Sequence, residues 1–151
     1  NFYGPFQQNY RLIPIIIIKI LNNEKFVLDG EGKNVRSFIY ATDISNGILK
    51  TLSKGKIGEI YHFASKKNFR IIEVAKIICN LMRVNFDDYI EYGSERKGSD
   101  KAYLMNSNKS RIELNWEDRM DINTGIKRTI YCIKKNLTRI NKLPLKYIHK
   151  K

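Results

Sequence analysis

The stretch Ile13-Pro14-Ile15-Ile16-Ile17-Ile18 lies in the longest apolar run in the chain. Six such residues together must be buried, so the fold needs a core on more than one side of this segment. Proline is tolerated in the first turn of a helix. Residues 11–21 are therefore read as a helix beginning near Pro14 and ended by Asn22-Asn23, although the isoleucines would equally suit a strand. The run is far shorter than the roughly 20 apolar residues that cross a bilayer. The chain has 151 residues, 42% of them hydrophobic and 28% charged. That is the size and balance of one globular domain rather than a disordered segment.

Strand and helix patterns alternate around this run. Residues 25–28 read as a short strand, and Asp29-Gly30-Glu31-Gly32 as a turn with two flexible positions. Residues 35–41, VRSFIYA, read as one strand, after which Thr42 or Asp43 caps a helix through Leu52. Residues 59–64, EIYHFA, read as a third strand. Residues 71–82 place Ile72, Ala75, Ile78, Cys79 and Met82 on one helical face. A short strand over 89–92, a polar loop over 93–101 and an extended piece over 102–105 follow. Asn106 or Ser107 then caps a helix to Leu114. Residues 121–141 form a last helix, with Ile126, Ile130, Ile133 and Leu137 toward the core. This alternation gives an α/β class with some irregular α+β character.

The formal net charge is +13, which invites a nucleic-acid-binding reading. The basic residues are spread along the chain and are mostly Lys. No RNA-binding aromatic signature, zinc spacing or basic heptad accompanies them, so a solvated Lys-rich surface is the favoured account. The one asymmetry is terminal. Nothing after Asp121 is acidic, whereas Lys127, Arg128, Lys134, Lys135, Arg139, Lys142, Lys146, Lys150 and Lys151 all follow it. Cys79 and Cys132 make no disulfide framework; buried free thiols in a reducing cytoplasm fit them.

Read as a complete enzyme, the chain is poor in chemistry. It has no GxGxxG and no Walker loop. His62 and His149 are too isolated for a metal site or a triad. Tyr131 to Lys135 and Tyr147 to Lys151 have the Tyr-x-x-x-Lys spacing that can lower a phenol pKa, but no dinucleotide loop precedes them, and coincidence in a Tyr- and Lys-rich chain explains them. What remains is cationic. Arg11, Arg36 and Arg96 stand on separate loops and strand ends, and three guanidinium groups can converge on one anion. Surface ion pairs are the plainer reading of any one of them.

Order and spacing add more. The chain starts without Met and sets a Tyr3-Gly4-Pro5 turn at its first positions, which reads as the interior of a longer protein. Asn1-Phe2-Tyr3-Gly4-Pro5 is followed by Arg11-Leu12-Ile13-Pro14, Gly30-Glu31-Gly32, Arg36-Ser37-Phe38-Ile39-Tyr40 with Asp43, and Gly58-Glu59-Ile60-Tyr61. Then come Glu95-Arg96-Lys97-Gly98 with Asp100 and Tyr103, Lys109, and Leu114-Asn115-Trp116. This succession resembles the C-terminal half of the extended short-chain dehydrogenase/reductase family. Within it the NAD-dependent nucleotide-sugar epimerases and dehydratases of the dTDP-glucose 4,6-dehydratase type are the most similar.

The resemblance implies a fold and a division of labour. Residues 1–151 would be the C-terminal, substrate-binding part of a Rossmann-type fold, a sugar-nucleotide-binding lobe. Residues 35–64 or so would pack on a Rossmann sheet that this chain does not contain. The NAD loop, the catalytic Tyr-x-x-x-Lys and the dehydratase Asp-Glu pair would precede Asn1, leaving no catalytic residue, no cofactor-binding residue and no metal ligand here, and this part alone inactive. Asn1 would bind the sugar or its phosphate, Arg11 would approach the nucleotide, and Leu12 and Ile13 would lend backbone groups. Arg36 would bind the diphosphate, and Arg96 would close over it. In the whole enzyme, a homodimer, NAD would serve as oxidant at C4 of the hexose and return hydride at C6 after water leaves. The implied setting is the cytoplasm and the supply of sugars for bacterial surface polysaccharides. The implied partner is a nucleotide-diphosphate sugar, with no nucleic acid and no membrane. A 4-epimerase or a decarboxylase of the same family is the alternative. Several positions depart from the pattern: Ser37 for Asp, Lys97 and Ser99 for the Pro and His of Arg-Pro-Gly-His, His62 for Asn, Asn115 for Gly, and Asp29 where an aromatic would stack on the base.

Overall fold

The isoleucine run is a helix, and its neighbours explain why it can be apolar nearly all round. In the computed structural model, which describes residues 1–95 and 98–149, α1 (Leu12–Leu21) lies against both α3 (Ile71–Met82) and α6 (Ile122–Lys135), which also touch each other. Ile13, Ile16, Ile17, Ile18 and Ile20 are all buried. Val74, Ala75, Ile78 and Cys79 face them from α3, and Ile126, Ile130 and Ile133 from α6. Pro14 sits in the first turn, where its missing N–H has no intrahelical partner to lose. Glu73 caps α3 by accepting from the Arg70 backbone N–H at 2.7 Å. Asp121 caps α6 by accepting from the Thr124 N–H at 3.0 Å.

Three small sheets flank this helical layer. β2 (Phe26–Asp29) runs parallel to β6 (Ile90–Gly93), with Phe26 opposite Ile90. Phe26 and Leu28 point into the core and Val27 points out, the alternation expected of a half-buried strand. β3 (Val35–Ser37) lies between antiparallel β5 (Asn68–Arg70) and parallel β7 (Ala102–Tyr103). β1 (Phe2–Tyr3) runs parallel to β4 (Ile39–Tyr40). The remaining helices are α2 (Ala41–Lys54), α4 (Phe86–Tyr89), α5 (Asn108–Glu113) and α7 (Leu137–Ile140). The architecture is mixed α/β.

Four sequence expectations are corrected. Residues 35–41 are not one strand. The chain changes partners at buried Phe38, so Val35–Ser37 pairs in one sheet and Ile39–Tyr40 in another. Residues 59–64 form no strand, because side chains do the work of a ladder. Ser110 Oγ donates to the His62 carbonyl at 2.6 Å, and Ser107 Oγ and Arg111 donate to that of Ala64. Neither Thr42 nor Asp43 caps α2, which starts at Ala41; Asp43 is buried and accepts from the backbone N–H groups of Arg119 and Met120. The last helix is two. Asn136 Nδ2 donates to the Cys132 carbonyl at 2.8 Å, and this local bond competes with the helix at the break. The turn at 30–32 is tighter than expected. Gly30, Glu31 and Gly32 all have positive φ, and a Cβ at Gly32 would lie 2.9 Å from the Ile72 nitrogen.

A second, smaller core holds Ile39, Leu114 and Trp116, with Ile44, Tyr61 and Phe63 packed on it. Trp116 is wholly buried. Its indole N–H donates to the Asp43 carbonyl at 2.8 Å, and Phe63 meets it edge-on at 4.9 Å.

Candidate functional site

The start of the chain crosses the point where β3 passes into β4. The Asn1 nitrogen donates to the Ser37 carbonyl at 2.9 Å, and the Ile39 N–H donates to the Asn1 carbonyl at 3.0 Å. Asn1 is thereby fixed beside Arg36. The turn that follows uses left-handed backbone at Phe6, φ 63°, and returns Gln7 to β1, where its Nε2 donates to the Phe2 carbonyl at 2.7 Å. Arg11 then stands at the N-cap of α1 in extended conformation.

These pieces enclose a cleft of about 210 Å³ whose walls include Asn1, Gln7, Arg11, Leu12, Ile13 and Arg36. The first helical N–H groups, those of Leu12 and Ile13, have no partner within α1, and no acidic side chain occupies its first turn. Arg36 is held from behind. Its guanidinium donates to the carbonyls of Val35 at 2.8 Å and Asp100 at 2.7 Å. Carbonyls orient the group without cancelling its charge. Among the described residues neither Arg11 nor Arg36 forms an ion pair. Two guanidinium groups outside any ion pair and a helix N-terminus around one cleft are the chemistry that suits an anion.

Five of the six residues singled out in the sequence therefore share one cleft: Asn1, Arg11, Leu12, Ile13 and Arg36. The sixth, Arg96, lies outside the described residues. The described residues that follow it are tied to β3 and its approach, through Arg36 with the Asp100 carbonyl and through Asn34 Nδ2 with Ser99 Oγ at 3.0 Å. Gln7 was missed. The signal for it was the turn itself, because a chain reversing at Gly4-Pro5-Phe6 returns the next side chain to the strand it left. Asp29 does not line the cleft; it ends β2 opposite Gly93.

The other motif residues are structural. Ser37 Oγ accepts from the Ser65 N–H at 3.0 Å and fastens the 60s segment to β3. The Tyr61 hydroxyl donates to Glu113 at 3.0 Å, and Lys109 lies 4.9 Å over its ring while pairing with Glu59. Burial acts to raise the Asp118 carboxyl, but the Arg111 guanidinium at 2.6 Å and further hydrogen bonds overcome it and hold the group below the usual carboxylate range. Burial, with Asp121 nearby, pushes the Tyr3 phenol far above its ordinary value, and burial raises the Cys79 thiol to about 11. Among the described residues no group of His, Cys, Asp and Glu could hold a metal ion.

Residues 1–64 match the model of the NAD dependent epimerase/dehydratase family. The chain is 32% identical over 141 residues to human dTDP-D-glucose 4,6-dehydratase, an alignment that covers 90% of this chain and 40% of that protein. It is also 32% identical, over 130 residues, to an Arabidopsis thaliana trifunctional enzyme whose name begins with UDP-glucose 4,6-dehydratase, covering 86% of this chain and 19% of the other. Among solved structures, Bacillus anthracis dTDP-glucose 4,6-dehydratase in complex with NAD superposes with TM-score 0.84 at 33% identity, over 90% of this chain and 43% of that one. A Streptomyces venezuelae dTDP-glucose 4,6-dehydratase with NAD and TYD bound gives TM-score 0.88 at 28% identity, over 92% and 43%. The chain thus spans less than half the length of these proteins.

Proposed function

The chain belongs to the NAD-dependent epimerase/dehydratase family of extended short-chain dehydrogenases/reductases, and from that premise we propose that it is the sugar-nucleotide-binding part of a nucleotide-sugar 4,6-dehydratase. The observation that carries the reading is the cleft: Asn1, Arg11 and Arg36 converge with the open N-terminus of α1. A diphosphate needs several donors fixed before it arrives, and backbone contacts fix Asn1 and the Arg36 guanidinium. In this reading Arg36 and Arg11 clamp the diphosphate, the Leu12 and Ile13 N–H groups complete the shell, Asn1 bonds the sugar or its phosphate, and Arg96 approaches from its loop. The named relatives act on UDP- and dTDP-glucose but share the 4,6-dehydratase name, which favours dehydration over a 4-epimerase or decarboxylase activity and leaves the base to experiment.

The solved relatives hold NAD. The described residues do not build a cradle for it: the glycine turn at 30–32 leads into a strand rather than opening a helix. The proposal therefore assigns NAD to the portion of the relatives that this chain does not span and expects residues 1–151 alone to be inactive. The same logic assigns residues 35–64 to contact with that portion, since Ile48, Leu49, Leu52, Ile57 and Ile60 are all more than half exposed there. Two free cysteines suit a reducing cytoplasm, and a homodimer and a role in surface-polysaccharide sugar supply complete the reading.

Calorimetric titration of the full-length protein with dTDP-glucose and UDP-glucose tests the cleft. Arg36→Ala is expected to weaken the preferred ligand roughly 10- to 100-fold, the loss of a charge-assisted bidentate contact. Unchanged affinity in that variant rejects the assignment. Turnover of either sugar nucleotide by residues 1–151 with NAD rejects the expected inactivity.

A further inference from the structure

Among the described residues, the cations beyond Asp121 neutralise no acidic side chain within the fold. Lys127, Arg128, Lys134, Lys135, Arg139, Lys142 and Lys146 are all exposed. Among the described residues none of them enters an ion pair, a side-chain hydrogen bond or a cation–π contact. On α6 they are ordered. Lys127, Tyr131 and Lys134 follow one another at i, i+4 and i+7, and Arg128, Tyr131 and Lys135 at i, i+3 and i+7. Tyr131, 68% exposed, is therefore ringed by four cations on the face opposite buried Ile126, Ile130 and Ile133. Beyond α7 the tail continues the pattern with Lys142 and Lys146 beside exposed Leu143, Tyr147 and Ile148, and the Tyr147 ring packs edge-on against Tyr10 at 5.5 Å, which anchors the tail to the body.

We propose that the outer face of α6, with the tail after it, adsorbs onto an anionic lipid surface. The charge is of one sign, because residues 122–151 include no acidic side chain. The apolar face of α6 is buried in the core, so the outer face adsorbs by charge, its lysine stems lying along the surface and its ammonium groups toward the phosphates. Leu143 and Ile148 favour lipid over nucleic acid. Aliphatic side chains have nothing to offer a base or a phosphate, whereas at a bilayer they enter the acyl boundary. Such adsorption needs no spanning segment, and no helix among the described residues is long and apolar enough to cross a membrane. The inference does not depend on the sugar-nucleotide reading of the cleft.

Flotation of the full-length protein with vesicles provides the test, comparing phosphatidylcholine alone with an equal mixture of phosphatidylcholine and phosphatidylglycerol. The bound fraction is expected to rise on the order of tenfold on the anionic vesicles and to fall back at high salt. The K127E/R128E/K134E/K135E variant is expected to bind no better than to neutral lipid. Tyr131→Ala, which leaves the charge intact, is expected to lose several-fold. Circular dichroism checks each fold, and the milder K134A/K135A pair serves if the quadruple variant fails to fold. Equal binding to both vesicles overturns the proposal, as does full binding by the charge variants. Tighter binding of duplex DNA or single-stranded RNA than of anionic vesicles at the same salt reassigns the face to nucleic acid.

Discussion

The two cores of this protein are finished to different degrees. Around α1 the packing is closed: five isoleucines of that helix, four residues of α3 and three of α6 are buried against one another. Around Trp116 it is closed on one side only. Ile39, Leu114 and Trp116 are buried beneath Ile44, Tyr61 and Phe63, yet the neighbouring residues of α2 and of 55–60 leave Ile48, Leu49, Leu52, Ile57 and Ile60 exposed. The difference separates a helical layer whose apolar side chains are covered from a flank whose apolar side chains are open to solvent. The Trp116 side, with a small knot beneath and an apolar face above, is the joint that the proposed function requires. The candidate cleft sits on the closed side, walled by α1 and β3, which is where preorganised donors are worth most.

The largest expected effect tests whether the smaller core is a core. Trp116→Ala removes a wholly buried ring, the edge contact with Phe63, and the donor to the Asp43 carbonyl. It should cost about 3–5 kcal/mol in urea denaturation. A loss below about 1 kcal/mol would mean that the Trp116 knot contributes little, and the comparison of two cores would collapse into one core with a loose flank.

Much of this was legible beforehand because its signals are local. The α3 boundaries follow from apolar spacing and a glutamate at the third position, and residues 71–82 were read correctly. The cleft was legible through the order of motifs: residue type alone pointed to Arg11 and Arg36, and the family resemblance added Asn1, Leu12 and Ile13, which line the same cleft. What escaped was decided by distant partners. EIYHFA has the composition of a strand, but Ser107, Ser110 and Arg111, more than 40 positions later, take its carbonyls. Asp43 looks like a cap by position, and only the fold reveals that residues 119 and 120 claim its carboxylate. Phe2–Tyr3 was legible as a turn entry but not as a strand, since two residues carry no period.

A second, intermediate effect sharpens the joint through pH. Asp118 is held low mainly by Arg111 against the opposing pull of burial. A folded carboxyl depressed below its unfolded value adds stability that is fully present above the unfolded pKa and is lost as pH falls through the folded one. The wild-type chain should therefore lose stability below about pH 4, and Asp118→Asn should flatten that acid limb while lowering stability at neutral pH. Melting curves between acid and neutral pH measure both. An acid limb of unchanged slope in the variant would assign the pH response to other carboxylates, such as Asp121, whose bonds to Thr124 lower it too.

The smallest effect in the chain itself is the most discriminating. Leu49→Ser with Leu52→Ser removes apolar surface from the far face of α2, where the two residues are 65% and 80% exposed. Exposed side chains without contacts change stability by about 0.5 kcal/mol or less, so residues 1–151 should melt where the wild type does and stay in solution longer. If the face is covered in the full-length protein, the same pair must there cost a buried-surface price of roughly 1.5–3 kcal/mol per leucine. Neutral substitution in the short chain and loss in the long one would identify α2 as the contact with the remaining half. Neutrality in both would leave the apolar face free, and the distinction between a closed scaffold and an open joint would rest on Trp116 alone.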